Sequence, residues 1–190
     1  MTPIATTKGY FASFNDFLSD TTFAQKAFVV LFSTALLTIS AKVSMPFWPV
    51  NVTLQSLTVL MLGFTLGRKM ALAVVVAYLL EGAAGLPVFT GTPARGTGIA
   101  YMMGPTGGYL LGFAVMAYVS GWFADKNAGS SYLKALGAAI VSLATLYIPG
   151  VMWLATLTNV DVALQSGFYL FIPSAVLSAI IAGSYLALRK

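Results

Sequence analysis

The feature that most constrains this chain is its succession of long apolar runs, with no charged residue at all from 135 to 160 or from 162 to 188. A helix of about 20 apolar residues crosses the roughly 30 Å hydrocarbon core of a bilayer and satisfies every backbone polar group within itself. The runs place helices at about 23–40, 53–66, 70–84, 108–124, 133–157 and 168–188. The second is short for a helix that crosses alone, Pro149 is expected to kink the fifth, and Pro173 lies near the start of the sixth. Charged residues make up 8% of the chain, against roughly a quarter in soluble domains, which is too few to clothe a soluble globule of 190 residues. The expected fold class is therefore all-α integral membrane, a six-transmembrane-helix bundle forming a single membrane domain over 1–190.

The chain has no cysteine and no histidine. That excludes disulfides, thiolate nucleophiles, imidazole acid–base catalysis and Cys or His metal sites. A membrane-embedded enzyme is disfavoured on the same ground, and a channel by the lack of polar faces repeated along several helices. The net charge of +5 comes from scattered single and paired basic residues, so nucleic acid is not an expected partner. Residues 1–22 are mixed and polar, with Asp16 and Asp20, and do not read as a cleaved signal peptide. The spacing of Tyr10, Phe11, Phe14, Phe17 and Leu18 suits a short interfacial helix, and a poorly ordered tail is the alternative.

Basic residues give the direction of the spans. With the N-terminus in the cytoplasm, the inner segments carry Lys8, Lys26, Arg68, Lys69, Lys126, Lys134, Arg189 and Lys190, and the outer ones only Lys42 and Arg95. That bias follows the enrichment of lysine and arginine in cytoplasmic loops and fits six spans with both termini cytoplasmic. The loops are as asymmetric as the charges. The inner turns are short, whereas the outer segments Lys42 to Gln55 and Gly85 to Gly107 are long and mix proline, glycine, aromatic and polar residues. Long structured loops are usually functional, so the outer face is expected to carry the binding chemistry.

Within GAAGLPVFTGTPARGTGIAYMMGPTGGYLLG, Gly82 to Gly112, glycines alternate with Leu86, Val88, Phe89, Ile99, Tyr101 and Met102. Glycine allows close backbone approach and left-handed turns, and the apolar residues between are too many for a free linker. A re-entrant loop over a ligand pocket meets both conditions. The stretch GTPARGTG lacks the Gly-Lys-Ser/Thr ending of a nucleotide cradle, so ATP binding within this chain is not expected.

The strings GLPVF at Gly85 to Phe89 and GPTGGYLLGF at Gly104 to Phe113, preceded by PVNVTLQSL at Pro49 to Leu57, resemble the BioY family. These are the biotin-specific substrate-binding (S) components of energy-coupling factor (ECF) transporters. The resemblance implies a six-helix bundle of S-component type that captures biotin from outside and delivers it inward. It also implies residence in the bacterial cytoplasmic (inner) membrane as a multi-pass protein. The partners implied are biotin, a membrane coupling protein and two cytoplasmic ATPases. No cofactor is expected, biotin being the transported ligand. One departure stands out. The family's sixth helix begins with a Pro-Gly-Asp-x-x-Lys-like signature, and here Ala175 and Ser178 stand where the acid and the base would be. Those two roles are not carried over.

Biotin offers a fused apolar ring, a ureido group with two N–H donors and one carbonyl, and an anionic tail. A site for it needs aromatic walls, polar partners and a positive group. Glu81, an acid inside an expected span, is a candidate to accept ureido N–H bonds or to hold a cation that does. Arg95, at the centre of the glycine loop, is the main basic candidate for the carboxylate or a partner for Glu81. Lys42 is less central. Asn51 and Gln55 at the mouth of the second helix can donate and accept. Phe89, Tyr101, Tyr109 and Trp153 are candidate walls, with Phe47 and Trp48 beside them, and interfacial aromatic belting is the competing role for each. Asn159 and Asp161 sit in the last outer loop, with helix capping as the alternative. Thr34 and Thr38 form a small-residue step on the first helix, suited to a partner helix or to packing within the bundle.

Overall fold

The computed structural model describes residues 22–45, 49–90 and 96–189. The N-terminal tail, Phe47, Trp48 and Arg95 lie outside them, so the expectations placed on those residues are not addressed by the fold.

Helix α1 runs Phe23–Lys42 and leads into a two-stranded hairpin, β1 (Ser44–Met45) paired antiparallel with β2 (Val52–Thr53). Then come α2 (Gln55–Ala83), the short α3 (Gly98–Met102) and α4 (Gly107–Asp125). A 3₁₀ turn at Ala128–Ser130 precedes α5 (Tyr132–Leu157), and α6 (Val160–Gly167) leads through a second 3₁₀ turn, Tyr169–Phe171, into α7 (Ile172–Leu188). Among the described residues, five stretches are long and apolar enough to cross a membrane: α1, α2, α4, α5 and the span Val160–Leu188 that joins α6 to α7. This is a multi-pass, all-helical membrane architecture.

At 29 residues α2 would measure about 43 Å if straight, well beyond a bilayer core. It is not straight. Gly67 has φ 73°, ψ 169°, a backbone region that only glycine occupies readily. Gln55 and Tyr78, which a straight rod would hold about 35 Å apart, have their side chains next to each other. The two limbs, 55–66 and 68–83, therefore run in opposite directions about Gly67. The turn is packed by α4, where a Cβ at Gly121 would come 2.3 Å from the Arg68 backbone nitrogen.

The remaining helices assemble around this bend. Helix α4 lies between α2 and α5, α5 packs on α7, and α1 packs on α2. Thr34 is on the buried face of α1 with Ser33, Leu37, Ser40 and Ala41, so this part of the small-residue step serves packing within the bundle. Pro149 lies inside α5 and the helix continues through it. Helix α4 packs against that point: a Cβ at Gly108 would fall 2.4 Å from the Pro149 carbonyl oxygen. Helix α7 starts at Ile172, four residues later than the apolar run suggested, because residues 169–171 form a 3₁₀ turn. Large apolar side chains such as Phe28, Leu31, Ile148, Met152 and Leu177 are exposed on the outside of the bundle, as lipid-facing positions require.

The two ends of the bundle differ. At one, Arg68 pairs with Asp125 at 3.5 Å, Arg189 donates to the Thr65 carbonyl at 2.9 Å, and the Thr65 and Tyr185 hydroxyls meet at 3.0 Å. The cations and acid there clasp the bend of α2 to the ends of α4 and α7. At the other end lie the β1–β2 hairpin and the glycine-rich segment.

Candidate functional site

The site is assembled at the hairpin end by residues from five regions of the chain. Phe89 follows the second limb of α2, and three contacts fix it. A Cβ at Gly82 would come 2.0 Å from its ring, so the ring rests directly on that glycine. It meets Tyr78 edge-on at 5.4 Å and stacks on Tyr101 of α3 at 5.2 Å. Its chain is held on both sides as well: the Tyr78 hydroxyl donates to the Val88 carbonyl at 2.9 Å, and Lys42 Nζ at the end of α1 donates to the Phe89 carbonyl.

Tyr109, in the first turn of α4, is seated in the same manner. A Cβ at Gly150 of α5 would fall 2.4 Å from its ring. Its hydroxyl donates to the Gly167 carbonyl at 2.7 Å, and its ring stacks on Phe171 at 6.0 Å. Tyr147 of α5 packs against Phe168 and Phe171.

Between these rings is a cavity of about 510 Å³ of non-atom space, counting its open mouth. Its walls are Phe89, Tyr101, Tyr109, Phe113, Tyr147 and Phe171 with Val50, Leu110 and Leu146, and its polar groups are Asn51, Thr53, Gln55, Ser56, Thr90 and Thr106. The side chains close in on it, leaving room for no more than a few waters. A bicyclic ligand would need the ring of Phe89 or its neighbours to move outward.

Three polar atoms of the wall are buried without a hydrogen-bond partner: Gln55 Nε2, Thr106 Oγ1 and Tyr147 Oη. The Ser174 hydroxyl is near Tyr147 but donates to the Phe171 carbonyl at 3.0 Å. Buried polar groups in folded proteins are nearly always paired, so three such atoms around one cavity mark a place built for polar ligand atoms. Among the described residues, no charged side chain lines the cavity.

Of the residues singled out from sequence, Asn51, Gln55, Phe89, Tyr101 and Tyr109 come together on this wall. Glu81 and Trp153 are not on it. Glu81 is half-buried one turn beyond Tyr78, close enough to act on it electrostatically. Trp153 is half-buried and donates its Nε1–H to the Gly104 carbonyl at 2.9 Å, pinning the segment that enters α4. Asn159 caps α6, its Oδ1 accepting from the Val162 amide at 2.9 Å, and Asp161 is exposed in that helix's first turn. Ala175 faces an apolar groove between α5 and α7, and neither it nor Ser178 reaches the cavity.

Sequence reasoning passed over Thr106, Tyr147 and Phe171. Tyr147 sits within an apolar run whose lipid-facing and inward-facing sides look alike. Thr106 is the threonine of GPTGGYLLGF, a string that carried the family resemblance but was not read for its side chains.

An all-helical bundle with an aromatic, polar-lined cavity at one end has the architecture of a membrane-embedded small-molecule binding protein. The model of the BioY family matches residues 6–189, and the chain belongs to that family. It is similar to the biotin transporter BioY of Thermotoga maritima, 36% identical over 157 residues that cover 82% of this chain and 89% of the relative. The Rhizobium etli biotin transporter BioY is 38% identical over 149 residues, covering 74% and 78%. Among solved structures, the S-component for biotin from an ECF-type ABC transporter matches with a TM-score of 0.73 at 26% identity, covering 88% of this chain and 93% of that one. These relatives are transport proteins, and this chain is a transport protein rather than an enzyme.

Proposed function

We propose that this chain captures biotin at the outer face of the cytoplasmic (inner) membrane and passes it inward as the S component of an ECF transporter. The observation that carries this reading is the set of three unpartnered polar atoms, Gln55 Nε2, Thr106 Oγ1 and Tyr147 Oη, around an aromatic cavity. Gln55 Nε2 is a donor suited to the ureido carbonyl, and the two hydroxyls can accept the ureido N–H bonds. Phe89, Tyr101 and Tyr109 sandwich the fused ring, and Asn51 borders the mouth. Glu81 and Trp153 act from behind the wall, through Tyr78 and the Gly104 segment. Arg95 is a cation offered to the carboxylate by the sequence of the same outer loop.

With α2 reversed at Gly67, the chain makes six crossings as a single membrane domain with both termini in the cytoplasm. The Arg68–Asp125 end faces inward. The partners of transport are a membrane coupling protein and two cytoplasmic ATPases.

The test is direct. Protein purified in detergent is expected to bind biotin in a calorimetric titration and to release biotin on denaturation for mass spectrometry. Gln55→Ala is expected to weaken binding about tenfold, the usual consequence of losing one buried hydrogen bond to a ligand. A different small molecule recovered from the protein, with no response to biotin, overturns the reading.

A further inference from the structure

Among the described residues no charged side chain lines the cavity, and a carboxylate brought out of water needs a counter-charge. Lys42 is a cation tied to the cavity wall. Its ammonium bonds the carbonyl of Phe89, itself a wall residue. The chain from Lys42 leads directly into β1, whose partner strand carries Thr53, with Val50 and Asn51 just before it and all three on the wall. The ammonium thus ties the end of α1, next to the hairpin, to the wall residue Phe89. The Phe89 carbonyl uses one of its three donors, and Lys42 as a whole is exposed. A backbone carbonyl is a neutral acceptor, whereas a carboxylate adds the attraction of opposite charges to the ammonium's hydrogen bond. Arg68 and Arg189, by contrast, are engaged at the opposite end with Asp125 and Thr65.

We infer that Lys42 reads the ligand's carboxylate at the mouth of the cavity, while the neutral polar end of the ligand lies deeper, against Gln55, Thr106 and Tyr147. The inference rests on the biotin reading and adds an orientation and a specificity to it. The uncharged hydrogen-bonding head enters first, and the free carboxylate is required at the rim. A ligand whose tail is capped as an amide loses that contact and gains nothing in return.

The experiment compares biotin with its primary amide, which is neutral and nearly the same size, on wild type, Lys42→Met, Lys42→Arg and Arg95→Ala. Wild type is expected to favour biotin about tenfold or more, as a charge-assisted bond implies. Lys42→Met is expected to weaken biotin far more than the amide, so that the two bind about alike, and the amide's remaining affinity shows that the variant is folded. Lys42→Arg is expected to keep most of the preference.

Equal weakening of both ligands in Lys42→Met would make Lys42 a structural tie on Phe89 and overturn the inference. So would a preference that survives Lys42→Met, above all one that disappears in Arg95→Ala, and so would equal affinities in wild type. Wild type that binds neither ligand overturns the biotin reading itself, and this inference with it.

Discussion

Tyr147 is buried, its ring set between Phe168 and Phe171 and its hydroxyl unpartnered beside Ser174. Leaving a buried hydroxyl unpaired costs the folded protein about 1–3 kcal/mol. Removing it leaves the packing of the ring intact. Tyr147→Phe is therefore expected to raise the melting temperature of the ligand-free protein and to reduce the further rise that biotin produces. Thermal unfolding in detergent with and without biotin reads both effects, and opposite signs are the signature of a hydroxyl kept for a ligand. Residue by residue, the part of the site legible in the sequence lies in the outer segments, where a polar or aromatic residue departs from its surroundings. Asn51, Gln55, Phe89, Tyr101 and Tyr109 stood out in that way. Tyr147 and Phe171 did not, because an aromatic residue in an apolar run is equally at home against lipid, and only the neighbouring helices decide which way it faces. Lys42 read as a helix-end cation until the fold put Phe89 within its reach.

At the scale of elements, the reversal of α2 depends on two glycines that do different things. Gly67 supplies the backbone conformation of the bend, and Gly121 on α4 supplies the space in which the bend sits. An alanine at 67 must adopt a conformation that costs about 1–3 kcal/mol. An alanine at 121 meets backbone atoms, which yield less readily than a side chain, and overpacking of that kind also costs about 1–3 kcal/mol. Gly67→Ala and Gly121→Ala are each expected to lower the melting temperature. Gly137, where a Cβ would meet nothing within 4 Å, is the control: Gly137→Ala is expected to leave it unchanged or raise it, since alanine favours a helix interior. The sequence showed a break between two apolar runs at Gly67 to Lys69 but not its geometry, because a glycine followed by two basic residues fits an open loop as well as a single reversing residue.

Across the whole molecule, the clearest consequence is topological. The chain has no cysteine, so single introduced cysteines report without background. Asn127→Cys, just after α4, and Asn159→Cys, just after α5, sit at exposed positions beyond opposite ends of α5. In intact cells a membrane-impermeant maleimide is expected to label the second and spare the first until the membrane is opened. The reverse pattern would invert the proposed orientation. The proposed orientation rests on eight cations against two, because lysine and arginine placement records how the chain meets the two sides of a membrane. The sequence by itself determined that the chain lives in lipid, roughly where its helices run and which end carries the elaborate loops, since each of these follows from local composition. Only the tertiary structure decided which side chains share a cavity, that Glu81 and Trp153 are not on its wall, and that Lys42 bonds the carbonyl of a wall residue, Phe89. Amphipathic patterning marks the inward face of a helix when one side meets water. Here lipid and core are both apolar, so that contrast vanishes and packing alone assigns the faces.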